Sequence, residues 1–187
     1  ILDAASAGET DKPAKTTTIA YRDLLSQIWI LDPVEPWLPH GSEFSRLKST
    51  PKHQLADPAL AARLVNHTPD TLLQPRAGTA ELLGRLFESL ATLTVRVAAQ
   101  TAEAVVGHLR TRDGGREIDL IVERYDGRLV AIEVKLASTV ADSDVRHLHW
   151  LRELAGDRLV ERLIVTTGSH AYRRPDGVIV VPLALLG

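Results

Sequence analysis

The chain has 187 residues, 44% of them apolar and 25% charged, with a formal net charge of -2; this composition is globular, excludes wholesale disorder and suits one domain, or one domain with a smaller lobe. The absence of cysteine excludes disulfide frameworks, thiolate zinc sites and cysteine nucleophiles, and the near-neutral charge excludes a global positive field for nucleic acid. Aromatic residues, at 4%, are too few for a base-stacking platform, and no apolar stretch reaches the ~20 residues of a membrane span.

Without a secretory signal or membrane span, a cytoplasmic address fits. The chain begins in mid-pattern at Ile1 and contains no Met, which reads as the carboxy-terminal part of a longer protein.

Ile1 to Ala7 has the pattern of a helix tail, and Thr16–Thr18 can cap a following helix carrying Tyr21, Leu24, Leu25 and Ile28 at helical spacing. Pro33 and Pro36 then favour an extended segment from Trp29 to Leu38. Helix, helix and β-wing is the order of a winged helix with its start missing, in which Lys12 and Lys15 would meet DNA phosphates. Asp3, Glu9, Asp11 and Asp23 cancel that charge, so the balance favours a helical packing lobe. Asp57-Pro58 opens a short helix over Ala59–Val65, with Asp as cap and Pro at the first position. Residues 1–65 are therefore expected to form a helical, winged-helix-like lobe, and residues 66–78, polar and rich in Pro and Gly, a linker.

Residues 79–187 carry the stronger pattern. A helix is expected over Thr79–Ala99, with an apolar stripe through Leu83, Leu86, Phe87, Leu90 and Val97. Strands are expected at Ala104–Arg110, Arg116–Glu123 and Arg128–Leu136, then a helix over Ser143–Ala155. Further strands are expected at Leu159–Thr167 and Val178–Leu183. The order α-β-β-β-α-β predicts an α/β fold with a mixed sheet.

Alternation puts Ala131, Glu133 and Lys135 on one face of the third strand, and Asp119 opposite Ile118, Leu120 and Val122 in the second. A two-residue Asp126-Gly127 loop would set Asp119 opposite Val134 and mix the faces. The three-residue loop Tyr125-Asp126-Gly127, ending in Gly, sets Asp119 opposite Glu133 and keeps the apolar residues together. Asp119, Glu133 and Lys135 then converge, and two adjacent carboxylates call for a cation, for which Mg²⁺ is suited. Glu88 lies off the main apolar stripe, yet Gly84, Ala91 and Val95 form a small-residue row that can turn it towards the sheet. Arg110, Arg112 and Arg116 around the Asp113-Gly114-Gly115 turn are candidate phosphate contacts. His147 and His149, two apart on a helix, do not face one ligand.

Gly84-Arg85-Leu86-Phe87-Glu88, Arg116-Glu117-Ile118-Asp119-Leu120-Ile121 and Ala131-Ile132-Glu133-Val134-Lys135 together resemble the PD-(D/E)XK nuclease superfamily, nearest its Holliday-junction-resolvase-type members. The likeness covers roughly residues 80–168, with Ile118 where the name-giving proline would stand. It implies a restriction-endonuclease-like core in which Glu88, Asp119 and Glu133 hold Mg²⁺ or Mn²⁺ and Lys135 assists phosphodiester hydrolysis. The stretches Pro51–Leu60 and Thr166–Pro182 also resemble the carboxy-terminal, DUF-type region of bacterial and archaeal AAA-type ATPases. That likeness implies an upstream ATPase region as partner, although no G-x-x-x-x-G-K-[ST] motif occurs in this chain. The expected function is a Mg²⁺-dependent DNA endonuclease module, the alternative a non-catalytic DNA-binding or protein-interaction domain of the ATPase. No membrane partner is expected, and self-association into a homo-oligomer is compatible with either reading.

Overall fold

The computed structural model describes residues 14–38, 50–74 and 78–186. Their strands form one eight-stranded mixed sheet in the order β2-β1-β3-β4-β5-β6-β8-β7. The strands are β1 (Leu31–Pro36), β2 (Lys52–Leu55), β3 (Ala104–Arg110), β4 (Glu117–Arg124), β5 (Leu129–Val134), β6 (Leu159–Thr166), β7 (Tyr172–Arg173) and β8 (Ile179–Pro182). The helices are α1 (Lys15–Gln27), α2 (Pro58–Leu64), α3 (Pro69–Leu73), α4 (Thr79–Thr101) and α5 (Asp142–Ala155).

From α4 onward the observed order is the expected α-β-β-β-α-β. Strands β3, β4 and β5 run as an antiparallel meander, and β5, β6 and β8 are parallel. The parallel step from β5 to β6 needs a crossover, which α5 supplies. One face of the sheet packs Val34, Val106, Leu120, Ile132 and Val165 against Ala91, Val95 and Ala99 of α4. The other packs Leu109, Ile118, Ile121, Ala131 and Ile164 against Val145, Leu148 and Leu151 of α5.

Two expectations are corrected at the amino-terminal side. Residues 1–65 do not stand apart as a helical lobe: within their described part, β1 pairs antiparallel with β2 and parallel with β3, through Glu35↔Gly107 and Pro36↔His108. The would-be wing is thus part of the main sheet. Gly107 permits this approach, since a Cβ there would come within 3.1 Å of the Glu35 carbonyl oxygen and the Trp37 backbone nitrogen. Gly107→Ala is therefore expected to destabilise the fold by about 1–2 kcal/mol through a forced shift of β1, measured by urea denaturation; unchanged stability would show that β1 yields freely. Within the expected linker, residues 66–78, Thr68 and Thr71 form a reciprocal capping box and Pro69 starts α3. Its prolines mark a helix start as well as a break.

The apolar stripe of α4 is also differently placed. Small residues (Ala91, Val95, Ala99, with Ser89 and Thr92) face the sheet, because only they let a helix lie close to it. Leu83, Leu86, Phe87 and Leu90 instead line an open apolar groove of ≈ 700 Å³ shared with α2 and α3, and Val97 is exposed. Trp29 is exposed at positive φ, whereas Trp37 is buried in the core.

Candidate active site

The β4–β5 turn sets the geometry. Gly127 adopts φ 77°, the left-handed conformation that the three-residue loop requires. The resulting register runs from Glu123↔Leu129 to Leu120↔Ile132, and its continuation sets Asp119 opposite Glu133. The regular ladder stops at that point. Asp119 Oδ2 accepts a hydrogen bond from the Val134 N–H at 2.9 Å, so a carboxylate takes the place of a neighbouring carbonyl.

The other edge of β4 explains this. Pairing with β3 passes from Gly107↔Ile121 to Leu109↔Ile118, so Asp119 and Leu120 together oppose His108. This is a β-bulge, a device that re-aims one side chain and breaks alternation. It corrects the expectation that Ile118 shares a face with Leu120: Ile118 packs with Ile121 on the α5 side, Leu120 on the α4 side.

Glu133 is buried, and its Oε1 has no hydrogen-bond partner. Burial, reinforced by the neighbouring Asp119 charge, pushes its carboxyl well above the usual carboxylate range, to about 9, against the opposing pull of Lys135 and Lys52. Lys135 Nζ lies 3.9 Å from Glu133 Oε2. His147, on α5, brings Nδ1 to 3.9 Å from Glu133 Oε1. That ring nitrogen also lies 2.8 Å from the Glu117 carbonyl oxygen and 3.5 Å from the Glu117 backbone nitrogen, while Nε2 accepts from Arg146 Nε at 3.0 Å. These contacts aim the ring at the carboxyl cluster.

Glu88 does turn inward, as its small-residue row suggests, but its partners come from β2. Lys52 Nζ lies 2.5 Å from Glu88 Oε1, 3.0 Å from Asp119 Oδ1 and 3.3 Å from Glu117 Oε1. Burial disfavours the ammonium, yet Asp119, Glu88 and Glu117 outweigh it and raise its pKa. Gln54 Nε2 donates to Glu88 Oε1 at 2.8 Å, and Ser89 Oγ donates to Gln54 Oε1 at 2.8 Å. Ser89 Oγ in turn accepts from the Leu55 N–H at 3.2 Å. Lys52 and Gln54 are alternate residues of one strand and so share a face. Gln54→Ala would leave the Ser89 hydroxyl without its acceptor and Glu88 less constrained. The expected cost is about 1–2 kcal/mol in chemical denaturation, with Gln54→Glu no rescue because it adds a charge beside Glu88.

The carboxylates are thus gathered as two overlapping groups rather than around one point. Asp119 stands beside Glu133 on one side and shares Lys52 with Glu88 and Glu117 on the other. With Lys52 in place, no three His, Asp or Glu side chains among the described residues are arranged to ligate a single ion. Two carboxylates suffice for Mg²⁺, which completes its shell with water and phosphate oxygens. The partnerless buried oxygen of Glu133 and the adjacent Asp119 fit such an ion in charge and donor type.

The arginines divide. Arg110 is 3.5 Å from Glu117 and so committed to a carboxylate, and Arg112 is exposed at the turn. Arg116 stacks over Trp150, 4.6 Å from the ring centroid, and with Gly115, Arg146 and His147 lines a cavity of ≈ 340 Å³. Lys12 lies outside the described residues; Lys15 opens α1, and its side chain is likewise outside them.

Sequence reasoning missed Lys52, Gln54, Glu117 and His147. The polar alternation Lys52-x-Gln54 is the available signal, and it lies within residues 1–65, which were expected to form a separate lobe. His147 was weighed only as half of a pair with His149, which bonds elsewhere, to Asp176.

The fold and site define an α/β protein with a mixed sheet and a carboxylate–lysine cluster at a strand bulge. Residues 83–186 match the family described as domain of unknown function (DUF4143), and the chain belongs to that family. No curated protein matches it. Among the described residues no helix is long and apolar enough to cross a membrane.

Proposed function

We propose that the chain is a Mg²⁺- or Mn²⁺-dependent DNA endonuclease module with a PD-(D/E)XK-like core, working as the carboxy-terminal part of an ATPase. The observation that carries this reading is Glu133: a buried carboxyl with a partnerless oxygen, beside the bulge-borne Asp119 and two residues before Lys135. A carboxylate with no structural partner costs stability where it sits, and a bound cation would offset that cost.

In hydrolysis the oxygen of a water bonds to phosphorus, the bond to the leaving sugar oxygen breaks, and the water's proton ends on that oxygen or in bulk solvent. Asp119 and Glu133 would hold the ion, which when bound polarises the phosphate and makes the attacking water more acidic. Lys135, charged and half-buried, supplies positive charge where negative charge grows on the phosphate oxygens. The Val134 N–H fixes Asp119 by its Oδ2, and Lys52 holds Glu88 and Asp119 in place. His147 places its Nδ1 3.9 Å from Glu133 Oε1.

The cavity of Arg116, Arg146 and Trp150 lies along α5, next to this cluster through His147, and suits a phosphate of the flanking strand. Arg116→Ala with Arg146→Ala is expected to weaken duplex binding by about 3- to 10-fold near 0.1 M salt and to shallow the salt dependence by roughly two ionic contacts, read by fluorescence anisotropy. An unchanged salt slope would remove this cavity from the DNA path.

The decisive experiment titrates Mn²⁺ into the protein, then follows nicking of duplex, single-stranded and four-way-junction DNA with and without chelator. Metal-dependent cleavage supports the reading. Mn²⁺ binding without cleavage of any substrate would favour a non-catalytic DNA-binding domain, and binding of neither Mn²⁺ nor DNA a protein-interaction domain.

A further inference from the structure

An ammonium held by three carboxylates is an uncommon way to spend a lysine. Lys52 Nζ has Glu88, Asp119 and Glu117 oxygens at 2.5, 3.0 and 3.3 Å. None of the three carboxylates has another lysine within ion-pair reach among the described residues, and only Glu117 has an arginine, Arg110 at 3.5 Å. Without Lys52, three negative charges would face one another in a half-buried niche, an arrangement that needs a cation or a proton. The niche is also rigid. Glu88 is pinned by Gln54, Asp119 by the Val134 N–H, and Lys52 itself by a strand paired over Leu31↔Leu55 to Val34↔Lys52.

The geometry points to Lys52 as a resident cation: its ammonium occupies what would otherwise be a second divalent-cation position between Glu88, Glu117 and Asp119, and so limits the site to one exchangeable metal, on the Glu133 side of Asp119. The inference rests on the reading above for that first ion, but not for the niche that Lys52 fills. Covalent attachment makes this charge permanent. It cannot be chelated away, and it holds Glu88 as a positioning residue rather than a ligand.

The test counts Mn²⁺ by isothermal calorimetry and by electron paramagnetic resonance of free Mn²⁺, neither of which depends on cleavage. Wild-type protein is expected to bind one Mn²⁺ and Lys52→Gln two, the added ion being lost again in Lys52→Gln with Glu88→Gln. The chain has no cysteine, so Lys52→Cys can be alkylated selectively. Treatment with 2-bromoethylamine restores an ammonium of lysine length and should return the count to one, while iodoacetamide should leave it at two. Equal counts in wild type and folded Lys52→Gln would overturn the inference. A wild type that binds none while Lys52→Gln binds one would refute the metal site at Glu133 and leave the resident cation standing. Should Lys52 variants fail to fold, Glu88→Gln alone still decides: first-site Mn²⁺ affinity should change less than 3-fold, and a loss above 10-fold would make Glu88 a metal ligand and sink the proposal.

Discussion

Lys135→Ala is expected to lower single-turnover DNA cleavage by two to four orders of magnitude while leaving Mn²⁺ affinity nearly unchanged. The lysine lies 3.9 Å from Glu133 Oε2, too far for a tight pair, so its removal releases little binding energy in the resting protein. On the proposed reading its contribution arises when charge develops on the phosphate, and loss of such a contact lowers the rate without loss of ground-state binding; each tenfold corresponds to about 1.4 kcal/mol of barrier. Asp119→Asn should behave differently. On the same reading it removes a ligand charge at nearly constant shape, so metal affinity and cleavage should fall together. Parallel Mn²⁺ calorimetry and quenched-flow cleavage separate the two patterns. A Lys135→Ala protein that loses metal affinity as well would make the lysine a structural partner of Glu133 instead.

Glu133→Gln should stabilise the metal-free protein above neutral pH while abolishing Mn²⁺ uptake. The carboxyl's folded pKa is raised from 4.5 to about 9 by burial and then by Asp119. Below pH 4.5 both folded and unfolded chains hold the proton, and the wild type has its full stability. Between that value and about 9 the unfolded chain releases the proton while the folded one keeps it, so wild-type stability falls as pH rises, and above 9 the loss is complete. Gln is neutral throughout and escapes this loss. The gap in its favour should therefore widen from pH 5 to pH 9, reaching on the order of 1–3 kcal/mol. Thermal melts in chelator across that range measure it, and a gap independent of pH would show that Glu133 does not titrate in this way. Saturating Mn²⁺ should reverse the order, since only the wild type gains stability from the ion.

How far the sequence discloses this architecture depends on the range of the interactions involved. Local signals were sufficient for the hairpin: Gly127 at the end of a three-residue turn and period-2 alternation in β5 specify the register that sets Asp119 opposite Glu133. They were sufficient too for Asp57-Pro58, whose carboxylate accepts from the N–H groups of Ala59 and Leu60 at the start of α2. The bulge at Asp119 was not legible, because it arises from how β4 meets β3 across His108 and no residue type announces it. Hydrophobicity ranks leucine over alanine, yet the small-residue row with Ala91 and Val95, expected to turn towards the sheet, is the side of α4 that lies on it. Close approach to a sheet ranks them the other way, and Ala91, Val95 and Ala99 took that side. Lys52 and Gln54 were the largest omission. They reach the site only because β1 joins β3 over two residue pairs, a contact between positions some seventy residues apart that leaves no trace in periodicity.

That short junction has a practical consequence for cutting the protein into pieces. The family match begins at residue 83, inside α4 and beyond β1 and β2. A fragment trimmed to that boundary would lose Val34 from the core and the Trp37 N–H that bonds to the His108 carbonyl at 2.7 Å. It would turn β3, with its buried Val106, His108 and Leu109, into a bare edge strand. Such an edge recruits other chains by strand pairing. The trimmed fragment should therefore oligomerise or precipitate on expression, whereas a fragment that starts ahead of α1 should stay monodisperse at the same concentration.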